Sequence, residues 1–505
     1  MIRRIYTTVI SFALAALTFT SCSDWLELYP ADEIKEEYLF SSGDGFRTAM
    51  NGIYRKMSTF NLYGSNLTWG IIDAWGQSYY IDKSTDNGGG KAMKKIAAFK
   101  FKNSELTPTT DEMWNAAWNV VANCNNLAQQ AEAADSMIFY GRERERQMIL
   151  AEAIGLRAVM QFDLLRIYAP APVSMNKNDS RTFIPYVDTY PSYVNDHQTV
   201  GYCLDKIVAD LKEAQRILQK VDKSSKMNTD GRYSNNGLAE EVFLGFRGYR
   251  LNYYAATAIL ARVYLYAGKN AEAYAEAKKI IDVNSKERYF NASTSKYNIE
   301  SYGNMKMYDD IIFALYSPTE LVDWDHEINH SSDGASTEYY LCIHKSILAK
   351  IYGEDVTKDW RAVYQLEPLS SNYYYRQLKY NEQPAKAKYA LVNNQTIPMI
   401  RMSEVYYIAA EAIFETNPDE AKEYLKTVKK GRGLTVDYSE VSDKDEFINL
   451  LENDARREFF GEGQILYMYK RLNRSIKTSD PYSGEDIMPT DDYAVLPMPD
   501  SESNI

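Results

Sequence analysis

Two segments of the chain carry the same helix–turn–helix pattern of apolar and small residues. They are Leu251–Ile281, which is broken near Gly268, and Arg401–Lys430. The matching positions lie 148 residues apart and pair Leu260 with Ile408, Ala261 with Ala409, Tyr264 with Ala412, Ala273 with Ala421, and Ala277 with Leu425. This spacing is typical of tetratricopeptide units. Because one such unit cannot bury its apolar face alone, the pattern predicts a stack of helices.

A third segment, Met148–Val173, is apolar around most of a helical circumference, which predicts a helix buried on more than one side. Its polar positions are Glu152, Arg157, Gln161, Asp163 and Arg166. The small residues around Gly155 lie three or four apart and allow a neighbouring backbone to approach closely. Pro170 and Pro172 are expected to end the helix, since neither has an amide proton.

Further helices are expected from near Asp44 to Met57, from an N-cap at Asp111, over Val200–Val221 and over Phe447–Phe460. Ile311–Ser317 is predicted to be a strand or another extended piece. We divide the chain into residues 1–21, 22–43, 44–250 and 251–505. The last part contains an irregular insertion at about residues 282–398, of a length that is usually functional.

Composition and charge exclude some classes of protein. The 57 Lys and Arg against 69 Asp and Glu give a formal charge of −12, which does not favour a nucleic-acid partner. The run Gly88–Gly90 lacks the flanks of a phosphate-binding loop, and we expect no cofactor.

Four scattered cysteines do not predict a disulfide framework; Cys124 and Cys203 are expected to be buried. The 42 tyrosines fit helix interfaces, a recognition surface, or both.

The N-terminus has the pattern of a signal peptide. Arg3 and Arg4 precede an apolar run, Ile5–Phe19, which is too short for a comfortable membrane span. The sequence Phe-Thr-Ser-Cys then resembles a bacterial lipobox, which predicts that residues 1–21 are removed and that Cys22 is acylated. Residues 22–43 would be a lipidated tether that holds the protein on a membrane. The alternative is an ordinary secretory signal with a chance cysteine.

Several motifs in the right order resemble the SusD/RagB family of outer-membrane lipoproteins. They are the lipobox cysteine with its acidic tether, AEAIGLRAVMQFDLLRIYAPAPV, PMIRMSEVYYIAAEA, NDARREFFGEG and the final LPMPDSESN. The chain departs from the usual pattern at Ala169, where Gly is common, and at Gln464, where Arg is common.

The resemblance implies an all-α fold of four tetratricopeptide-like helical pairs with a loop-rich variable half. It also implies a cell-surface lipoprotein that is not an enzyme, and that captures a glycan and acts as a lid over a SusC-type TonB-dependent transporter. The alternative is a RagB-like component of a peptide uptake complex, because some members of the family serve peptide uptake.

A glycan site needs exposed aromatic rings, on which the C–H faces of sugars stack, flanked by polar groups that bond the hydroxyls. The resemblance implies two such regions, and the matching places are Trp69–Asp82 and Leu321–Glu327. We predict stacking by Trp75, Tyr79 and Trp324, and hydrogen bonding by Asp73, Gln77, Asp82 and Asp323. The alternative for Trp75 is a place in the core. The run Tyr373–Tyr375 either adds to the same surface or packs in a strand.

One motif points to a different chemistry. His326-Glu327-Ile328-Asn329-His330 spells H-E-x-x-H, which on a helix supplies two zinc ligands and a general base. Its flanks lack the apolar stripe of a buried helix and run into Ser331-Ser332-Asp333-Gly334. A chance match in a polar loop is therefore favoured over a zinc hydrolase, and we expect no metal.

Overall fold

The computed structural model describes residues 36–81, 91–221, 243, 247–292, 296–317, 321, 341–369, 373–383, 394–482, 484–500 and 502. The predicted signal peptide and Cys22 lie outside these residues. The helices are α1 (Glu36–Leu39), α2 (Gly43–Met57), α3 (Ile71–Trp75), α4 (Lys91–Ala97), α5 (Thr107–Ala133), α6 (Arg142–Tyr168), α7 (Val200–Val221), α8 (Tyr253–Tyr266), α9 (Asn270–Glu287), α10 (Lys296–Tyr302), α11 (Lys345–Tyr352), α12 (Trp360–Tyr364), α13 (Met402–Ile413), α14 (Pro418–Gly431), α15 (Lys444–Glu458), α16 (Ile465–Leu472) and α17 (Asp491–Ala494). The strands are β1 (Thr182–Ile184), β2 (Gln198–Thr199), β3 (Ile311–Tyr316), β4 (Cys342–His344), β5 (Leu366–Pro368), β6 (Tyr374–Gln377) and β7 (Thr396–Arg401).

The long helices form a stack that follows the order of the chain. Helix α2 packs on α5, and α5, α6, α7, α8 and α9 then pack each on the next, after which α9 packs on α13 and α13 on α14. The two repeat segments are the hairpins α8–α9 and α13–α14, which confirms the predicted all-α fold. Gly268 ends the first helix of its hairpin with a positive φ of 71°, a backbone conformation that favours glycine.

Helix α6 is the centre of this stack, as its apolar circumference predicts. Nearly all of its residues from Met148 to Tyr168 are buried, and a β-carbon added at Gly155 would lie 2.3 Å from Leu251 Cδ2. The polar side chains of the helix are used in internal bonds. Arg157 Nε donates to Asp210 at 2.5 Å, and Gln161 Nε2 donates to the Val187 carbonyl at 3.1 Å. The close approach predicted at Gly155 is therefore present.

Two helix starts differ from the sequence-based expectation. Asp111 does not cap α5, because the helix already begins at Thr107 with Pro108 in its first turn, where the missing amide proton costs nothing. Helix α1 lies inside the segment expected to be an extended tether. The next start is close to the prediction: Ser42 caps α2 by accepting from the amide of Gly45 at 3.3 Å.

The region between the hairpins carries two small antiparallel sheets. Strand β3, the predicted Ile311–Ser317 segment, pairs with β7, which leads directly into α13. The second sheet has the order β4-β6-β5. The amide of Tyr80 donates to the Cys342 carbonyl at 2.8 Å, so the chain after α3 joins this sheet beside β4.

A buried network of charges joins the first sheet to the last helices. The Glu458 carboxylate accepts from Arg361 at 2.7 Å, from Arg432 at 2.5 Å and 3.0 Å, and from Arg401. Asp310 accepts from Arg401 at 3.0 Å and from Arg432 at 2.6 Å. Burial alone would raise the pKa of Glu458, but Arg432 and Arg401 hold it well below its usual range. The network is therefore ionised and fixes β3, β7, α14 and α15 together.

Among the described helices, none is both long enough and apolar enough to span a bilayer. Cys124 and Cys203 are buried, as predicted, and so is Cys342. Burial raises the pKa of the Cys203 and Cys342 thiols to about 12, which leaves these side chains unreactive at neutral pH.

Candidate functional site

The predicted stacking residues of the first region are core residues. Trp75 is fully buried, its indole Nε1 donates to the Tyr493 carbonyl at 2.7 Å, and its ring packs edge-on against Phe101 at 5.2 Å. Tyr79 is buried against Phe460 and donates its hydroxyl to the Trp69 carbonyl. Neither ring has a face open to a ligand, so the prediction that they stack on sugars is wrong.

The two polar residues of the same segment are also buried. Asp73 accepts from the amides of Gly461 and Gly463 at 2.7 Å and 3.1 Å. Burial outweighs these bonds and raises the pKa of Asp73 to about 7. Gln77 donates to the Ala97 carbonyl at 2.9 Å. Asp73 and Gln77 therefore tie α3 to other parts of the chain rather than bond a glycan, and the prediction is corrected for them as well.

The remaining predicted residues, Asp82, Asp323 and Trp324, lie outside the described residues, as does the motif His326–His330. Their roles stay predictions. Ile81, which precedes Asp82, is half-buried, and Leu321 is buried in the core. Among the described side chains, no group of three or more His, Cys, Asp or Glu is arranged to hold a metal ion.

A partly exposed group of aromatic rings includes Tyr80, which directly follows the buried segment. We call it the tyrosine cluster, and it consists of Tyr80, His344, Tyr373, Tyr374 and Tyr482. Tyr80 stacks on Tyr374 with ring centroids 5.5 Å apart and meets Tyr482 edge-on at 6.4 Å. His344 lies 5.2 Å from Tyr374 and 5.7 Å from Tyr482. Tyr482 is 71% exposed and Tyr373 is 51% exposed, so the cluster presents ring surface to solvent.

The second sheet positions this cluster. His344 at the end of β4 is opposite Tyr374 at the start of β6, and the segment with Tyr80 runs beside β4. Tyr482 comes from the C-terminal part of the chain, and its hydroxyl lies 3.2 Å from that of Tyr374. Four separate stretches of sequence thus contribute one aromatic surface, and the sheet holds three of them in register.

Charged groups of both signs lie at the cluster, and Asp480 Oδ1 accepts from the amide of Tyr482 at 2.9 Å. Lys345 Nζ lies 4.0 Å from the centroid of the Tyr373 ring, a distance at which the ammonium is attracted to the ring face. Burial, together with the charge of Lys345, lowers the pKa of His344, so its imidazole is neutral at pH 7. Its Nδ1 lies 2.8 Å from Ser346 Oγ. The surface therefore combines flat rings, hydroxyl groups, the Lys345 ammonium and the Asp480 carboxylate.

Such an arrangement can bind but offers little for catalysis. Tyrosine rings give apolar contact area with few rotamers to immobilise, and their hydroxyls bond polar groups at the rim. In the run Tyr373–Tyr375, the residues of β6 pack in a sheet, and Tyr373 and Tyr374 are also part of the tyrosine cluster. Tyr80 and Tyr482 were missed, because nothing in the local sequence signals that these two distant residues meet.

The fold and this surface are typical of one class of protein, namely binding proteins that are built from helical repeats. Residues 261–494 match the sequence profile of the SusD family. The SusD-like protein P2 of Formosa agariphila is 23% identical, over 98% of this chain and 96% of that protein. A SusD superfamily protein of Bacteroides thetaiotaomicron has the same fold, with a TM-score of 0.66 and 23% identity over 92% of this chain and 98% of that one.

A putative sugar-binding protein of Bacteroides vulgatus superimposes with a TM-score of 0.68 and is 20% identical, over 92% of this chain and 96% of that one. Residues 261–494, a little under half of the chain, are thus similar to the SusD family, and the whole chain has the fold of SusD superfamily proteins. Proteins of the SusD family bind carbohydrates, are associated with the outer membrane and work with SusC-type transporters, and they are not enzymes.

Proposed function

We propose that this protein is a cell-surface lipoprotein that captures oligosaccharides at the tyrosine cluster and delivers them to a partner SusC-type TonB-dependent transporter. The observation that carries the proposal is the exposed ring surface of Tyr373 and Tyr482 in the tyrosine cluster. Sugar rings carry apolar C–H faces and polar edges, and tyrosines offer matching ring faces and hydroxyls.

The predicted residues outside the described part of the chain complete this proposal. Asp82 follows Tyr80 by two positions, so its carboxylate is a candidate for bonding a sugar hydroxyl beside the cluster. Asp323 and Trp324 are proposed to add a carboxylate and a further stacking ring. Acylated Cys22 would hold the protein on the outer membrane, where the transporter is.

The class of ligand is tested by isothermal titration of the purified mature protein with a panel of plant, host and fungal polysaccharides and with peptide digests. We expect binding to one or a few glycans and none to the peptides. Binding to the peptides alone, with no response across the glycans, would favour the peptide uptake alternative. The variant Trp324→Ala is expected to weaken glycan binding about five-fold without changing Tm.

A further inference from the structure

A cavity of about 510 Å³ lies between α5 and the loop that joins β1 to β2. Its volume is within the range of roughly 300–1,000 Å³ that is typical of small-molecule sites. Trp114, Trp118 and Val121 of α5 line one side, most of the loop lines the other, and Glu502 also contributes. None of the described lining residues belongs to the tyrosine cluster, so the cavity is a separate candidate site.

One face of α5 forms the aromatic wall of the cavity. Trp114 and Trp118 lie four positions apart on the helix, and their rings meet edge-on with centroids 5.4 Å apart. Trp114 is buried and donates its indole Nε1 to Glu502 at 3.2 Å. Trp118 is half-buried, and its Nε1 has no hydrogen-bond partner among the described residues. Packing rather than a hydrogen bond therefore positions the Trp118 ring, which leaves it able to adjust to a ligand.

Amide side chains of α5 and α6 hold the other wall in place. Gln161 Oε1 accepts from the amide of Val187 at 2.7 Å, and its Nε2 donates to the Val187 carbonyl at 3.1 Å. Asn125 Nδ2 donates to the same carbonyl at 3.1 Å. Gln129 accepts from the amide of Tyr190 at 2.6 Å and donates to its carbonyl at 2.7 Å. Because Asn125 and Gln161 are fully buried, these bonds fix the loop backbone in advance and lower the cost of binding.

The polar groups of the cavity suit a neutral ligand that carries hydroxyl groups. The described lining includes Thr189, Ser192 and Asp196, and it contains no Lys or Arg, so an anionic ligand would find no counter-charge there. A cation is not favoured either, because Glu502 already accepts from an indole N–H and Asp196 is exposed to solvent. Sugar rings combine an apolar C–H face, which packs on an indole, with hydroxyls that donate and accept.

We infer that this cavity is a second glycan-binding site, which takes a short neutral stretch of a sugar chain with one sugar ring packed on Trp118. The inference rests on the proposed function, because it assigns the same class of ligand to a second place on the chain. A polysaccharide long enough to reach both sites would dissociate more slowly than from either site alone.

The test is fluorine NMR of the mature protein with fluorotryptophan in place of tryptophan, titrated with maltohexaose, cellohexaose, xylohexaose and mannohexaose. Trp118→Phe and Trp75→Phe identify the two resonances of interest. We expect at least one hexaose to shift the Trp118 resonance, and to shift it equally in Tyr373→Ala/Tyr482→Ala. The resonance of Trp75, which is sealed in the core, should stay in place.

A second variant blocks the cavity without removing a ring. Ala122 is half-buried on the cavity side of α5, and Ala122→Gln places a longer neutral side chain there. Glutamine is a good helix former, so Tm should be nearly unchanged. The variant should suppress the Trp118 shift at hexaose concentrations that saturate it in the wild type.

Four results would overturn the inference. They are a Trp118 resonance that no hexaose moves, a shift that is lost in Tyr373→Ala/Tyr482→Ala, a shift that survives Ala122→Gln, and a shift that peptide digests cause and the sugars do not. The last result would identify a peptide site. If the shift persists while isothermal titration shows that Tyr373→Ala/Tyr482→Ala binds the hexaose with wild-type affinity, capture at the tyrosine cluster fails and the second site stands.

Discussion

Trp75 and Tyr80 lie five residues apart in the sequence, and the structure gives them opposite surroundings. Trp75 is sealed in the core and bonded to the Tyr493 carbonyl, whereas Tyr80 is half-buried and stacks on Tyr374. Both belong to the aromatic segment that the sequence marked as one site. The comparison shows that a high density of aromatic residues can indicate a candidate binding region. The contacts of each ring then determine whether it packs in the core or is exposed to solvent.

The largest effect is expected from the buried charge network, which supports the fold. In Glu458→Ala, the guanidinium groups of Arg361, Arg401 and Arg432 lose a shared counter-charge in a buried site. We expect the free energy of unfolding to fall by about 3–5 kcal/mol, measured by urea denaturation. The control Lys426→Ala removes a solvent-exposed ion pair with Glu423 and should leave the free energy of unfolding nearly unchanged. Equal losses in both variants would contradict this account.

A comparable loss is expected for Trp75→Ala, since removal of a buried ring leaves a cavity and an unpaired carbonyl at Tyr493. The free energy of unfolding should fall by about 3–5 kcal/mol. Measured below its unfolding transition, the variant should still bind glycan with nearly the wild-type Kd. A strong loss of affinity in a fully folded Trp75→Ala protein would contradict this account and would show that Trp75 takes part in ligand binding.

The pH dependence of stability reports on Asp73. Its folded-state pKa is raised by burial to about 7, above the usual 3.8. Between those two values the folded carboxyl keeps its proton while the unfolded one has lost it, so this residue's contribution to stability falls as pH rises from about 4 to 7. The fall is on the order of 4 kcal/mol, at about 1.4 kcal/mol per pKa unit.

Asp73→Asn removes the titrating group, and urea denaturation at several pH values measures the difference between variant and wild type. We expect the stability of the wild type, relative to the variant, to decrease over this interval. A constant difference between the two proteins from pH 4 to 7 would show that Asp73 is not protonated in the folded state.

Much of the fold is readable from the sequence because helix periodicity and small-residue spacing are local signals. The hairpins α8–α9 and α13–α14, the buried helix α6 and the limits of α7 follow from such patterns. The first turn of α5 was not predicted, because Asp111 is a good N-cap and indicated a later start. Pro108 is an equally good residue for the first turn of a helix. Four residues, Glu36–Leu39, form a helix where the pattern favoured an extended tether.

The site was harder to predict, because it depends on contacts between distant stretches of sequence. Asp73 looks like a polar ligand residue until the amides of Gly461 and Gly463, nearly 400 positions later, are found against it. Tyr482 joins Tyr80 across a similar separation and Tyr374 across 108 positions. No local pattern encodes these pairings. The sequence predicted aromatic residues of the Trp69–Asp82 segment as the ligand site, and the rings that the structure exposes differ from the predicted ones.

The smallest expected effect tests the central claim, that ligand capture resides in the tyrosine cluster. Isothermal titration with a glycan bound by the wild type should show the Kd of Tyr482→Ala raised about five-fold, because one stacking contact contributes about 1 kcal/mol. The double variant Tyr373→Ala/Tyr482→Ala should bind more weakly still. Tyr38→Ala, in which a similarly exposed ring outside the cluster is removed, should bind like the wild type. An unchanged Kd in the folded double variant would contradict the account.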